Sequence, residues 1–411
     1  MIPVIGLVLL LALIVAAVVN TAAPVFAADT GLHSPSANSN VGWDNPQYAY
    51  SSGDWRARAD NDGDIVQYYN FNLPVIPSGS TIDGIEVRVE GYETGGTTHR
   101  EADVSLSWDG GVSYTTGSGT GIKRTDMPSP DAASEAVRTF GGASDTWGRT
   151  WALDDFINAN FRVKLDTILA STGYYLYVDH VQVMVHYTLP GTTTTVATSG
   201  SPSIYGDSVT FTATVTRLGG TNTPSGIVDF QDSGVSMGTS MLSDIGGGAA
   251  QATFATSSLT VGSHSISAVY DGDSNFTGST SPPVTQVVNQ RNLTVTATGI
   301  DKVYDATTTA TVNLTTDAIG GDDVTPSYTS ATFANKNVGT SKTVSVSGIS
   351  VSGADAGNYN LLNTTASTTA NITQRNLTVT ATGVNKVYDA TATATVNLTT
   401  NALGGDTVTP S

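Results

Sequence analysis

The chain has 411 residues, of which 13% are charged, with 43 glycines, no cysteine and a formal net charge of −18. A field of that sign repels phosphate backbones and argues against nucleic acid as a partner, while the missing thiols exclude disulfides, thiolate metal sites and a cysteine nucleophile. Scarce charge with abundant Gly, Thr and Ser disfavours helices and favours short strands joined by turns, an all-β chain of roughly three domains at one per ~150 residues.

Residues 1–19 are almost wholly apolar, and Val25-Phe26-Ala27 supplies the small residues wanted before a cut after Ala27. Residues 1–27 are therefore expected to be a secretory signal peptide. No Lys or Arg precedes the apolar run, and an uncleaved membrane anchor is the alternative, since the run approaches the ~20 residues needed to span. Both readings export the rest, to the cell surface or beyond, with no other membrane contact expected.

Residues 28–189 form the first expected domain and hold all five tryptophans. Ile85, Val87 and Val89 alternate with Glu86, Arg88 and Glu90, and Val181, Val183 and Val185 alternate with Gln182 and His186. Ile65, Gln67, Tyr69, Phe71 and Leu73 are read as sharing one face. Period-two alternation with one wet face predicts antiparallel sheets packed as a β-sandwich. IPSGSTIDGIEVRVEGY, WDGGVSY and DTWGRTWALDDFINANFRVKL together resemble a jelly-roll module of bacterial extracellular proteins.

This domain carries the candidate sites. Asp60, Asp62 and Asp64 lie at alternate positions of a turn and would offer oxygens to calcium, although the glycine falls at the fourth position and no glutamate at the twelfth, unlike an EF-hand. Against that stands a solvated acidic turn. Trp43, Trp55, Trp147 and Trp151, with Tyr48 and Tyr50, are the candidate ligand-binding residues, because a flat ring presents an apolar face to a sugar; core packing is the competing role. Ser107-Trp108-Asp109-Gly110-Gly111-Val112-Ser113-Tyr114 matches the Asp box, a hairpin corner rather than a catalytic motif.

No catalytic residue is assigned. His180 and His186 stand about 20 Å apart along one strand, too far to chelate together. No Ser-His-Asp set assembles, and Asp154-Asp155 or Glu86 with Glu90 make carboxylate pairs of the kind any acidic chain contains.

Residues 190–202 read as a Pro/Gly/Thr linker. Residues 203–288 follow, with Val209, Phe211, Ala213 and Val215 on one face and threonines between. Strands at this spacing suggest an immunoglobulin-like sandwich. Gly262-Ser263-His264, Ala268-Val269-Tyr270 and Gly272-Asp273-Ser274-Asn275-Phe276 resemble the bacterial Ig-like repeats, of group 3 type, found in surface and secreted proteins.

Residues 290–327 then recur at 374–411 with Tyr304 aligned on Tyr388, 84 residues on. A unit of that length repeated in tandem is a copied domain, here residues 289–373, with 374–411 an incomplete second copy. Half a set of strands does not bury a core, so the chain is expected to continue beyond Ser411. Lys302-Val303-Tyr304-Asp305-Ala306-Thr307 and Gly357-Asn358-Tyr359-Asn360-Leu361 resemble the YDG repeat of large bacterial exoproteins and adhesins. Ala306 and Ala390 occupy the place where that family has Gly, so the turn either keeps a negative φ or is strained. An isopeptide bond from Lys302 or Lys386 would show as the loss of one ammonia.

The resemblances imply a non-catalytic exported protein whose repeats form a stalk for an N-terminal binding module, with a glycan or cell-surface ligand as partner. The alternative is the carbohydrate-binding part of a secreted polysaccharide-degrading protein.

Overall fold

The computed structural model describes residues 27–410 apart from 54, 95–100, 118, 127–135 and 169–174. Residues 1–26, nearly all of the segment read as a signal peptide, and His99 lie outside the described residues. The chain folds into two compact units, Met1–Ala197 with Phe211–Phe254 and Ile266–Pro283, and Thr198–Thr210 with Ala255–Ser265 and Val284–Ser411. Regular structure among the described residues is all strand apart from short 3-10 turns.

The first ten strands are β1 (Ala27–Asp29), β2 (Ala37–Val41), β3 (Ala57–Ala59), β4 (Ile65–Tyr69), β5 (Thr81–Thr94), β6 (Glu101–Ser107), β7 (Ile122–Asp126), β8 (Ala136–Gly141), β9 (Arg162–Ile168) and β10 (Tyr175–Thr188). They make two five-stranded sheets, β1-β10-β5-β8 with β3 also on β10, and β2-β4-β9-β6-β7. Inward residues alternate as expected: Ile85, Val87, Val89, Val181, Val183 and Val185 are fully buried. On β4 the face read from sequence does not run through to Phe71. Val66 and Tyr68 are buried, while Ile65, Gln67 and Tyr69 face outward. Left-handed backbone at Asn70 (φ 58°) breaks the period, so Phe71 returns to the core at 2% exposure.

Strands β11 (Thr192–Thr198), β12 (Ser203–Ile204), β13 (Val209–Arg217), β14 (Ile227–Asp232), β15 (Val235–Met241), β16 (Ser243–Gly246), β17 (Ala249–Thr256), β18 (Gly262–Gly272), β19 (Thr277–Thr280) and β20 (Val284–Asn289) follow. Their sheets run β11-β13-β17-β16 and β12-β20-β18-β14-β15, with β19 on β18. The segment read as a linker is thus largely a strand. Thr192 and Thr194 are buried, their hydroxyls 2.8 and 2.7 Å from that of Ser279. A Pro/Gly/Thr composition hid this because threonine is both a loop-like polar residue and a strong strand former.

The repeat contains β21 (Arg291–Leu293), β22 (Val295–Gly299), β23 (Lys302–Val303), β24 (Val312–Thr316), β25 (Thr325–Ser327), β26 (Ser330–Phe333), β27 (Gly339–Ser347), β28 (Ser350–Ser352), β29 (Tyr359–Leu361) and β30 (Thr365–Thr373). Its largest sheet is β23-β30-β27-β26, and β21-β29, β22-β24 and β25-β28 are two-stranded. Three short pairings are parallel: β12 with β20, β21 with β29 and β23 with β30. Val295, Val312, Phe333, Val344, Val346 and Ile372 belong to its core.

Among the described residues of the second copy, regular structure is the hairpin β31 (Val379–Val384) with β32 (Thr395–Thr400). Its register, Val379 opposite Thr400, reproduces Val295 opposite Thr316. Val379 is 49% exposed where Val295 is 2% exposed, so the hairpin keeps its pairing without a core.

The Lys-Val-Tyr-Asp-Ala-Thr turn closes on its lysine. The Lys302 ammonium donates to the Asp305 carboxylate at 2.8 Å, the Thr307 carbonyl at 3.0 Å and the Thr309 carbonyl at 2.8 Å. Lys386 repeats this with Asp389 and Thr391. The ammonium is saturated by these oxygens, which points away from the isopeptide bond considered above.

Candidate ligand-binding surface

A left-handed Asn45 (φ 51°) leads into the 3-10 turn Pro46–Ala49, which sets Tyr48 beside Trp55 with ring centroids 5.7 Å apart. The loop holding Trp55 is fastened from below. A bulge in β10 between Val178 and His180 turns Asp179 inward, where it is 1% exposed and accepts from the Gly53 amide at 3.0 Å. A buried carboxylate holding a backbone amide is a strong, directional tie.

Past Trp55 the chain places Arg56 and Arg58 against tyrosines. The Arg58 guanidinium lies 4.8 Å from the Tyr175 ring and Arg56 lies 5.4 Å from that of Tyr92. Tyr92 stacks on Tyr177 with centroids 4.8 Å apart and planes 11° apart. Strand pairing creates the row, since Tyr177 sits opposite Arg58 on β3 and opposite Tyr92 on β5. Asp44 bonds Arg58 and raises its already high pKa, so the guanidinium is a fixed cation over an aromatic face.

The four tryptophans named from sequence do not form one surface. Trp43, Trp147 and Trp151 are 5, 1 and 6% exposed, and all belong to the core. The indole N–H groups of Trp147 and Trp151 donate to the Ile85 and Thr146 carbonyls. Trp55 is different, at 71% exposure. The Arg–Tyr row escaped sequence reasoning, although Trp55-Arg56-Ala57-Arg58 and Tyr175-Leu176-Tyr177 carry the alternation that signals one outward face.

The three aspartates are not brought to one point. The Asp64 carboxylate accepts from the Asn61 and Asp60 amides at 2.9 and 3.2 Å, closing its own turn. Asp60 accepts from the Asn61 side chain at 2.6 Å and stands 3.9 Å from Arg58. Among the described residues, no group of three or more His, Cys, Asp or Glu side chains gathers as a metal site would.

The Asp box is a corner, as expected. Asp109 accepts from the Ser113 and Val112 amides at 2.8 and 3.1 Å, and these bonds, that from Ser113 foremost, lower its pKa. The carboxylate pairs are engaged separately: Asp155 with the Ala152 amide and Arg149, and Glu86 with Arg88. His180, its pKa lowered by burial, meets the Ser34 hydroxyl at 2.7 Å, while His186 stands 3.9 Å from Glu86.

Strands β1 to β10 thus make a β-sandwich that carries one exposed tryptophan and a half-buried row of arginines and tyrosines, and the strands after β10 divide into domains of two recognised kinds. Residues 193–289 match the bacterial Ig-like domain (group 3), and residues 289–370 match the YDG domain. Bacterial Ig-like domains typically occur in extracellular or surface proteins, and both are non-catalytic domain types. No curated protein matches the chain. Among solved structures, the fibronectin(III)-like modules of Clostridium thermocellum CbhA align at 15% identity over 44% of this chain and 94% of theirs, with a TM-score of 0.17. The Endo-D glycoside hydrolase domain of Streptococcus pneumoniae aligns at 14% identity over 64% of this chain and 36% of its own, with a TM-score of 0.19. The N-terminal domain of the Streptococcus gordonii adhesin Sgo0707 aligns at 8% identity over 57% of this chain and 66% of its own, with a TM-score of 0.18. The chain spans about a third of the second and just under two thirds of the third. Scores this low carry no argument about function.

Proposed function

We propose that this is an exported, adhesin-like protein that binds a glycan through its first domain and holds that domain out on its Ig-like and YDG-type domains. The observation that carries the reading is Trp55, 71% exposed and paired with Tyr48 while its three companion tryptophans are inside. An indole left in water costs free energy that burial would recover, and a ring fastened in that position is suited to the apolar face of a pyranose. Arg56 and Arg58, which follow it in the chain and lie against the Tyr92 and Tyr175 rings, are polar groups of the kind that orient a ligand. Each domain of the stalk adds length and touches only its neighbours, so reach grows with the number of domains.

Retention of the purified chain on insoluble polysaccharides and on a glycan array tests this. Binding that Trp55→Ala abolishes, with an unchanged melting temperature, supports the reading; no retention on any glycan sinks it.

A further inference from the structure

Within the second unit a carboxylate is carried back onto an aromatic loop in two places, and the two share a construction. In the Ig-like domain β12 runs parallel to the closing strand β20; Tyr205 comes next, its amide donating to the Asn289 carbonyl at 2.9 Å. In the repeat β23 runs parallel to the closing strand β30; Tyr304 comes next, its amide donating to the Thr373 carbonyl at 2.9 Å. Each tyrosine therefore stands beside the point where the chain leaves for the following domain, at Gln290 and at Gln374. Against each lies a Gly-Gly-Asp turn of that following domain. The acids are Asp322 and Asp406, the same position of the 84-residue period.

At Tyr304 the hydroxyl donates to the Asp406 carboxylate at 2.5 Å, and the Lys336 ammonium stands 3.1 Å from the same oxygen. Leu403, Leu377 and Val338 line a cavity of about 280 Å3 with Tyr304. At Tyr205 the ring meets Tyr359 edge-on, centroids 5.6 Å apart, and the Tyr359 hydroxyl donates to Asp322 at 2.5 Å. Ile319, the counterpart of Leu403, packs over Gly206 so closely that a Cβ there would fall 2.2 Å from its Cδ1. Burial first, and then the Asp322 carboxylate, raise the Tyr205 pKa; the Tyr304 hydrogen bond, and then Lys336, lower that of Asp406. At the Tyr304 joint the phenol pKa is raised, by its bond to Asp406 first, while that of the carboxyl it faces is lowered.

We propose that this tyrosine–aspartate contact is a coupling joint, in which the loop after the parallel edge strand is a seat for the Gly-Gly-Asp turn of a YDG-type repeat. The seat serves equally in an Ig-like and in a YDG-type owner. The Ig-like domain supplies a seat, whereas the repeat carries both a seat (Tyr304) and a turn that fits one (Asp322). Copies therefore add head to tail in a single direction. The partner this surface fits is another copy of the repeat, whatever the first domain binds. Tyr388, 90% exposed on the same lysine-closed turn, meets no such turn among the described residues and serves as the control within residues 1–411.

Hydrogen exchange on the full chain tests the joint. Tyr304→Phe and Asp406→Asn should each speed exchange of the β32 amides by about three- to tenfold, the range of one net hydrogen bond. The double variant should go no further than the larger single one, and Tyr388→Phe should change nothing. Tyr205→Phe should do the same for the amides of 319–322. Unchanged exchange in β13 and β18 verifies that each variant is folded. Wild-type exchange at β32 in Tyr304→Phe, additive effects in the double variant, or an equal effect from Tyr388→Phe would each overturn the proposal. No response to Tyr205→Phe would remove the Ig-like seat from it.

Discussion

Ala306 and Ala390, 84 residues apart, share one backbone conformation: φ is 63° in the first and 60° in the second. Of the two options that the sequence leaves for this turn, the structure takes the strained one. A left-handed alanine costs roughly 1–2 kcal/mol, part of which glycine gives back through its freer unfolded chain. Ala306→Gly is therefore expected to stabilise the repeat by about 1 kcal/mol. Urea unfolding followed through that domain checks it, and a lower midpoint would contradict the account.

Lys302 is the second point to probe. Replacing it with Met leaves Asp305 and two carbonyls without their shared donor and is expected to cost about 1–2 kcal/mol. The pH dependence follows from Asp305, whose pKa is pulled down to about 2 first by Lys302 and then by the Thr307 amide. A depressed carboxyl contributes stability that is present above its unfolded value near ~3.9 and is lost as pH falls toward the folded one. Acid melts of the wild type and of Lys302→Met should converge between about pH 4 and 2, modestly, because the Asp305 side chain is 47% exposed and screened. Intact mass should show no loss of ammonia.

Asp64 separates a turn residue from a metal ligand. It holds the amides of Asp60 and Asn61 while 7% exposed. Asp64→Ala should lower stability by about 1 kcal/mol by taking away the acceptor of those two amides. The loss should be the same in millimolar calcium and in EGTA. A calcium-dependent rise in the wild-type melting temperature would restore the metal reading.

Trp147 and Trp55 should behave oppositely. Trp147→Ala empties a site that is 1% exposed and removes the indole bond to the Ile85 carbonyl, at an expected cost of about 3–5 kcal/mol. Trp55→Ala should move stability by less than about 0.5 kcal/mol. Thermal melts by near-ultraviolet circular dichroism distinguish them.

Alternation made most of the fold legible. Ile85, Val87 and Val89, read from the charged residues between them, are buried as expected, and so are Phe211 and Val215. The misreadings have local causes. The phase of β4 was lost at Asn70, because a single left-handed residue shifts a period-two pattern and leaves no trace in composition. Thr192–Thr198 looked like a linker because its buried face is threonine hydroxyls bonded to Ser279, not hydrocarbon. The aromatic surface was half legible: composition flags every tryptophan, but the fold of the 46–55 loop tells which ring stays outside, and the pairing of β3, β5 and β10 aligns the tyrosines and Arg58.

The short parallel pairs at the domain ends have a consequence under load. When the chain is pulled from both ends, force enters the repeat along Arg291–Leu293 and leaves along Thr365–Thr373. Strands lying parallel at those ends slide past one another, so their hydrogen bonds are stressed together in shear instead of parting one by one like a zipper. Two or three residues of such pairing at each end thereby resist extension out of proportion to their length.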